Sequence, residues 1–90
     1  MGLLKDGGWD ESTKRAVWNA CRICPGYDAA TWRYDRYGTP MKWEQYGNRS
    51  SEHGWEIDHI HPQSKGGGDQ RSNLQALNWK NNASKSDGQR

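Results

Sequence analysis

An α+β fold in one small domain is what this sequence predicts, and three stretches carry the prediction. WDESTKRAVWNAC, residues 9 to 21, sets Val17, Trp18 and Cys21 at helical spacing. TWRYDRYGTPMKWEQYG, from residue 31, alternates large aromatic with charged residues on both sides of Gly38-Thr39-Pro40, the pattern of a hairpin. WEIDHI, residues 55 to 60, reads as a strand, and a glycine-rich loop, a short apolar run and a polar segment follow it.

The chain has 90 residues, and a domain of that size buries a modest share of its surface, so a staple, metal or partner helps to hold it. Hydrophobic residues make up 31% with no Phe, which leaves six Trp and four Tyr to build a small aromatic core. Net charge is +2 and the cations are spread along the chain, so nucleic acid is a compatible partner but no basic stripe announces it. There is no apolar run of membrane-spanning length. MGLLKDGG lacks the apolar stretch and cleavage site of a secretory signal and the Ser or Thr of a myristoylation signal, so the default expectation is a cytoplasmic protein.

In chain order, residues 1 to 8 are expected to form a flexible tail. A helix follows over roughly 11 to 20, with Asp10 or Ser12 as N-cap. Pro25-Gly26 marks a turn, and Trp32, Tyr34, Met41 and Trp43 are the strand residues of the hairpin, where aromatic ladder packing is preferred to base stacking. NRSSEHG is a polar loop. After Pro62, QSKGGGDQRSN contains three consecutive glycines and is expected to be a long loop. LQAL is too short for periodicity to decide, and NWKNNASKSD has mixed helix propensity. The second half is therefore strand, long loop, short strand, short helix.

Cys21 and Cys24 form the only C-x-x-C. Structural thiols, half of a zinc site completed by His53 or His61, and a redox pair are the open readings. A missing second C-x-x-C counts against zinc, and a missing βαβ context counts more heavily against redox.

The polar residues of chemical interest are Asp58, His59, His61, Asn73, Asn78, Asn81 and Asn82. A carboxylate with an amide oxygen suits a hard cation, and a neutral imidazole beside it can take a proton from water; together these are a phosphodiester hydrolysis kit. Singly, each residue has a plainer reading, since Asp and Asn near turns usually serve the backbone. In a regular strand Asp58 and His59 also point to opposite faces.

DHIHPQSKGGGDQRSNLQALNWKNNASK, residues 58 to 85 and about a third of the chain, resembles the motif of the HNH endonucleases, the ββα-metal or His-Me finger superfamily. Asp58-His59, Pro62, Gly66-Gly67, Asn73-Leu74-Gln75-Ala76-Leu77, Asn82 and Lys85 follow that pattern in order. Asn82 stands where many members have His, an HNN-type variant. A second C-x-x-C, which many relatives use for structural zinc, would fall at 78 and 81, and both are Asn here, so structural zinc is not expected.

The resemblance implies that residues 9–90 form a single nuclease domain. Residues 55–87 would be a ββα-metal motif, and 9–50 an accessory helix and hairpin shielding its open face. It implies His59 as general base, Asp58 and Asn82 as ligands of one Mg²⁺ or Mn²⁺, and Asn73 as an orienting residue that holds the loop and the His59 ring. Products would carry 5′-phosphate and 3′-hydroxyl ends. Lys80, Lys85, Arg33, Arg36 and Lys42 are candidate phosphate contacts, with Glu56, His53 and His61 as surface or supporting groups. The substrate would be DNA, cut or nicked with weak sequence preference unless a protein partner or dimer supplies it, and with no membrane involved. The rivals are an RNA-acting or structure-selective nuclease, a non-catalytic nucleic-acid-binding module on the same scaffold, and a zinc-stabilised structural module.

Overall fold

A computed structural model describes residues 8–86. The expected tail at 1–8, apart from Gly8, lies outside the described residues, as do the last residue of the expected motif and residues 88–90.

Helix α1 spans Glu11–Asn19. Asp10 is its N-cap, in extended conformation, and its carboxylate accepts the Thr13 N–H at 2.8 Å; Ser12, the other candidate, donates its hydroxyl to the same carboxylate. Val17 and Trp18 fill the inward face.

Three short strands follow, β1 (Arg22–Ile23), β2 (Trp32–Tyr34) and β3 (Pro40–Lys42), in an antiparallel sheet ordered β1-β2-β3. The hairpin between β2 and β3 turns at Gly38, whose φ of 82° only glycine adopts without strain. Two expectations need correcting. The hairpin is the larger part of a three-stranded sheet, because the chain between Cys21 and Cys24 adds β1 on its edge. Trp43 is not a strand residue but opens a 3₁₀ turn, Trp43–Gln45. The β2 edge ends at Trp32, whose N–H, like that of Thr31, bonds Asp28 O in a turn. The Trp43 N–H still bonds Thr31 O, and there the chain turns inward and carries the Trp43 ring against Trp18.

Strands β4 (Trp55–His59) and β5 (Leu74–Asn78) pair antiparallel from Trp55↔Asn78 to His59↔Leu74, and helix α2 (Trp79–Ser86) follows at once. LQAL showed no decisive period because β5 is covered on both faces, with Leu74, Ala76, Leu77 and Asn78 all buried. The loop between them is less irregular than its glycines imply, since 3₁₀ turns Gln63–Lys65 and Arg71–Asn73 sit at its ends.

The core joins both halves. Val17, Trp18, Met41, Trp55, Leu74 and Ala76 form one buried cluster, with Trp43 and Tyr46 packed on it. Trp18 and Trp55 are fully buried with ring centroids 4.9 Å apart, and Trp43 lies 5.4 Å from each. Each such pair contributes about 1 kcal/mol beyond its area. A helix, small antiparallel sheets and a C-terminal helix make the fold α+β.

A polar staple ties the first sheet to the second. Asp35, 3% exposed, accepts four N–H groups: Tyr37 and Thr39 backbone on Oδ1, Asn78 backbone and Asn81 Nδ2 on Oδ2, all at 2.8–3.0 Å. Asn78 also donates its amide to Pro40 O and Glu52 O. Asn78 and Asn81 thus cross-link the sheets by hydrogen bonds.

Candidate active site

Strand parity builds the site. Trp55 and Ile57 turn to the aromatic core, so Glu56 and Asp58 turn to the other face, where α2 lies. On α2, Asn82 and Lys85 are three residues apart and share a face. Asn82 Nδ2 meets Glu56 Oε1 at 2.8 Å and Lys85 Nζ meets Asp58 Oδ2 at 2.6 Å, so the two rows are fixed against each other.

Asp58 also accepts Gln75 Nε2 at 2.9 Å from its cross-strand neighbour, and Lys85 donates a second bond to His59 O at 2.7 Å. The pair is mostly shielded, with side-chain exposures of 14% for Asp58 and 22% for Lys85. Among the described residues no group donates to Asp58 Oδ1 or Asn82 Oδ1. One carboxylate oxygen and one amide oxygen on facing elements are hard donors of the kind that suit Mg²⁺ or Mn²⁺. The donor set fits such an ion, and Lys85 is the positive charge it would share Asp58 with.

His59 ends β4 on the opposite face. The ladder stays regular through His59↔Leu74, so Asp58 and His59 do not turn to one side. Both nevertheless line one cleft of about 420 Å³, together with Pro62, Ser64 and Lys85. The His59 ring packs by Trp9 at 5.8 Å, and its Nε2 lies 2.7 Å from Asp69 Oδ1. A carboxylate only accepts, so Nε2 carries the proton of that bond and Nδ1 is the basic nitrogen when the ring is neutral.

Asn73 is buried and closes the loop, but it does not hold the His59 ring as the resemblance implied. Its Oδ1 accepts His61 N–H at 2.8 Å, and its Nδ2 donates to His61 O and Gly68 O. Both ends of its amide are used on backbone, and the ring takes Asp69 instead. Gly67 lies so close beneath that a Cβ there would meet His61 O at 1.8 Å, so the loop's tight return needs glycine. The His61 ring is exposed and bonds Lys65 O.

The expected phosphate contacts divide. Lys80 and Arg36 are exposed, Lys42 is half-buried with its ammonium over the Trp32 ring, and Lys85 is inside the cleft. Arg33 departs from the surface role expected of it. Its guanidinium donates to Ala29 O, Asn19 O and Cys21 O, and braces the end of α1 against β2.

Sequence reading missed Asp69 as the partner of His59 and understated Glu56. Period two would have put Glu56 beside Asp58, but nothing local signals that a residue ten positions on returns to His59. Glu56 is gripped by Arg49, with Nε–Oε2 at 2.6 Å and Nη2–Oε1 at 2.8 Å. That hydrogen bond first, against partial burial, and then the Asn82 amide hold the Glu56 carboxyl below its ordinary range. Burial pushes the Cys21 thiol up to about 11. The ring of His53, another candidate zinc ligand, packs edge-on to Trp32 with Nδ1 buried and unpartnered among the described residues.

A strand-loop-strand-helix unit thus sets a carboxylate, an imidazole and a lysine along one cleft, with the Asn82 amide on the helix beside it. Residues 45–88 match the family model described as HNH endonuclease, and that segment is similar to the HNH endonucleases. No curated protein and no solved structure matches the chain. Nuclease activity on nucleic acid, with a divalent metal as the general requirement, is what the family supports. Among the described residues no helix is long and apolar enough to cross a membrane.

Proposed function

We propose that the chain is a divalent-metal-dependent DNA endonuclease or nickase of the HNN variety, with residues 9–90 acting as one nuclease domain. The observation that carries this reading is the cleft in which Asp58 meets α2 while His59, its Nε2 engaged by Asp69, lines the same opening. Asp58 and Asn82 are the protein ligands of one Mg²⁺ or Mn²⁺. Held there, such an ion would supply positive charge at the scissile phosphate and the leaving 3′ oxygen.

The remaining steps belong to the chain. His59 Nδ1 takes the proton of a water that attacks phosphorus in line, and Asp69 holds the ring in that tautomer and orientation. Lys85 turns its ammonium from Asp58 to a phosphate oxygen as substrate enters. Asn73 keeps the loop closed under Asp69. Products carry 5′-phosphate and 3′-hydroxyl ends. With a net charge of +2, affinity for DNA is modest and falls with salt, and sequence preference is weak unless a partner or dimer adds it.

The test is a supercoiled-plasmid digest in Mg²⁺, with chelator as control. Relaxed circles appear before linear product, chelator stops the reaction, and His59→Ala slows it by roughly 10²–10⁴-fold with an unchanged melting temperature. Equal cutting by parent and His59→Ala would overturn the assignment. Parallel digests of single-stranded DNA and RNA decide between DNA and the RNA-acting alternative.

A further inference from the structure

We infer that Arg49 and Glu56 are positioning residues that set the amide of Asn82 for cation binding, an inference that rests on the proposed role of Asn82 as a ligand. An asparagine side chain has a donating and an accepting end, and only the oxygen can hold a cation. In most surroundings the amide can flip. Here it cannot do so cheaply, because Glu56 Oε1 lies 2.8 Å from Asn82 Nδ2 and a carboxylate accepts only. A flipped amide would set its oxygen against that carboxylate. The NH₂ is therefore bound to β4, and Oδ1, which accepts from no described residue, is left for another partner.

Glu56 is itself fixed. Arg49 grips both of its oxygens from the loop before β4, and the Arg49 guanidinium lies over the Trp79 ring at 5.7 Å, at the start of the helix that carries Asn82. Loop, strand and helix are thus tied in one chain of contacts, Arg49 to Glu56 to Asn82. Glu56 sits on the same face of β4 as Asp58, so its distance from the second ligand is set by the strand repeat. The consequence is a cation site whose neutral ligand is oriented before the ion arrives.

The experiment measures Mn²⁺ affinity of the folded protein without DNA, by electron paramagnetic resonance of free Mn²⁺, alongside melting temperature in chelator. Asn82→Ala weakens binding. Glu56→Ala weakens it by about tenfold, and the double variant binds no more weakly than Asn82→Ala alone, because both act through one ligand. Glu56→Gln keeps an oxygen for the Asn82 amide and restores affinity to within about threefold of the parent, although it loses the paired grip of Arg49. If Glu56→Gln binds as weakly as Glu56→Ala, the charge of Glu56 and not its orientation of Asn82 is what matters, and the inference fails. If Glu56→Ala lowers only the melting temperature and leaves Mn²⁺ affinity intact, Glu56 is merely structural and the inference fails while Asn82 stays a ligand. If Asn82→Ala itself binds like the parent, the ligand assignment falls and the inference falls with it.

Discussion

The two faces of the β4–β5 ribbon are made from one five-residue strand, yet they are held by different physics. On one face Trp55 and Ile57 meet α1 and the tryptophan cluster, where contacts are apolar and Trp55 is fully buried. On the other, Glu56 and Asp58 meet Asn82 and Lys85 of α2 through charged hydrogen bonds, and every group keeps some exposure. A domain this small cannot spend its whole sheet on stability. The aromatic face supplies the free energy that lets the polar face keep charges where water can reach them.

Neighbouring substitutions should break that comparison most sharply. Trp55→Ala removes a buried indole from the centre of the cluster and should cost roughly 3–5 kcal/mol, much of the stability of a domain of this size. Glu56→Ala, one residue on, removes a partly exposed ion pair and should cost no more than about 1 kcal/mol. Urea unfolding of the two variants checks this. Equal losses would mean that the polar face bears structural load comparable to the core.

Asp35 is the next largest effect, since it shows a polar group used as the core is used. Asp35→Ala takes the acceptor from the backbone N–H groups of Thr39 and Asn78, and Asn78 is fully buried, while the Asn81 amide keeps only Thr39 Oγ1. A loss of roughly 3 kcal/mol is expected, because buried donors left unpaired bear their full desolvation penalty. The melting temperature should fall without any change in the Mn²⁺ affinity of protein that remains folded. A parallel loss of Mn²⁺ binding would mean that the staple also shapes the cleft.

How far the sequence could be read follows the same division. Elements that obey a single period, α1 with its Asp10 cap and β4 with its alternation, are legible because burial on one side writes a pattern. Trp43 was misread because aromatic alternation continues past the point where β2 ends, and only the tertiary pull of Trp18 and Trp55 turns the chain inward. Asp58, His59, Asn73 and Asn82 could be listed from their motif spacing. Asp69 and the grip of Arg49 on Glu56 could not, because they depend on where the glycine loop and the 48–54 loop return in space. Arg33 looks like any other cation in a hairpin, and its three carbonyl partners exist only once α1 is docked.

The smallest effect at neutral pH concerns Cys21, which packs against the aromatic core and tests how dry that side is. Burial raises its thiol from 9.0 to about 11. Since only the thiolate is alkylated, iodoacetamide at pH 8 should modify Cys21 about a hundredfold more slowly in the native protein than in the unfolded chain, read by peptide mass spectrometry. The sign for stability follows from a folded value above the unfolded one. The protonated thiol favours the native state fully below pH 9, and that contribution is lost as pH rises towards 11. Cys21→Ala should therefore flatten the alkaline limb of the stability curve, compared with the parent over the same range. Rapid native alkylation at pH 8 would mean that water reaches the aromatic side of the ribbon, and the contrast between its two faces would be smaller than Trp55 alone implies.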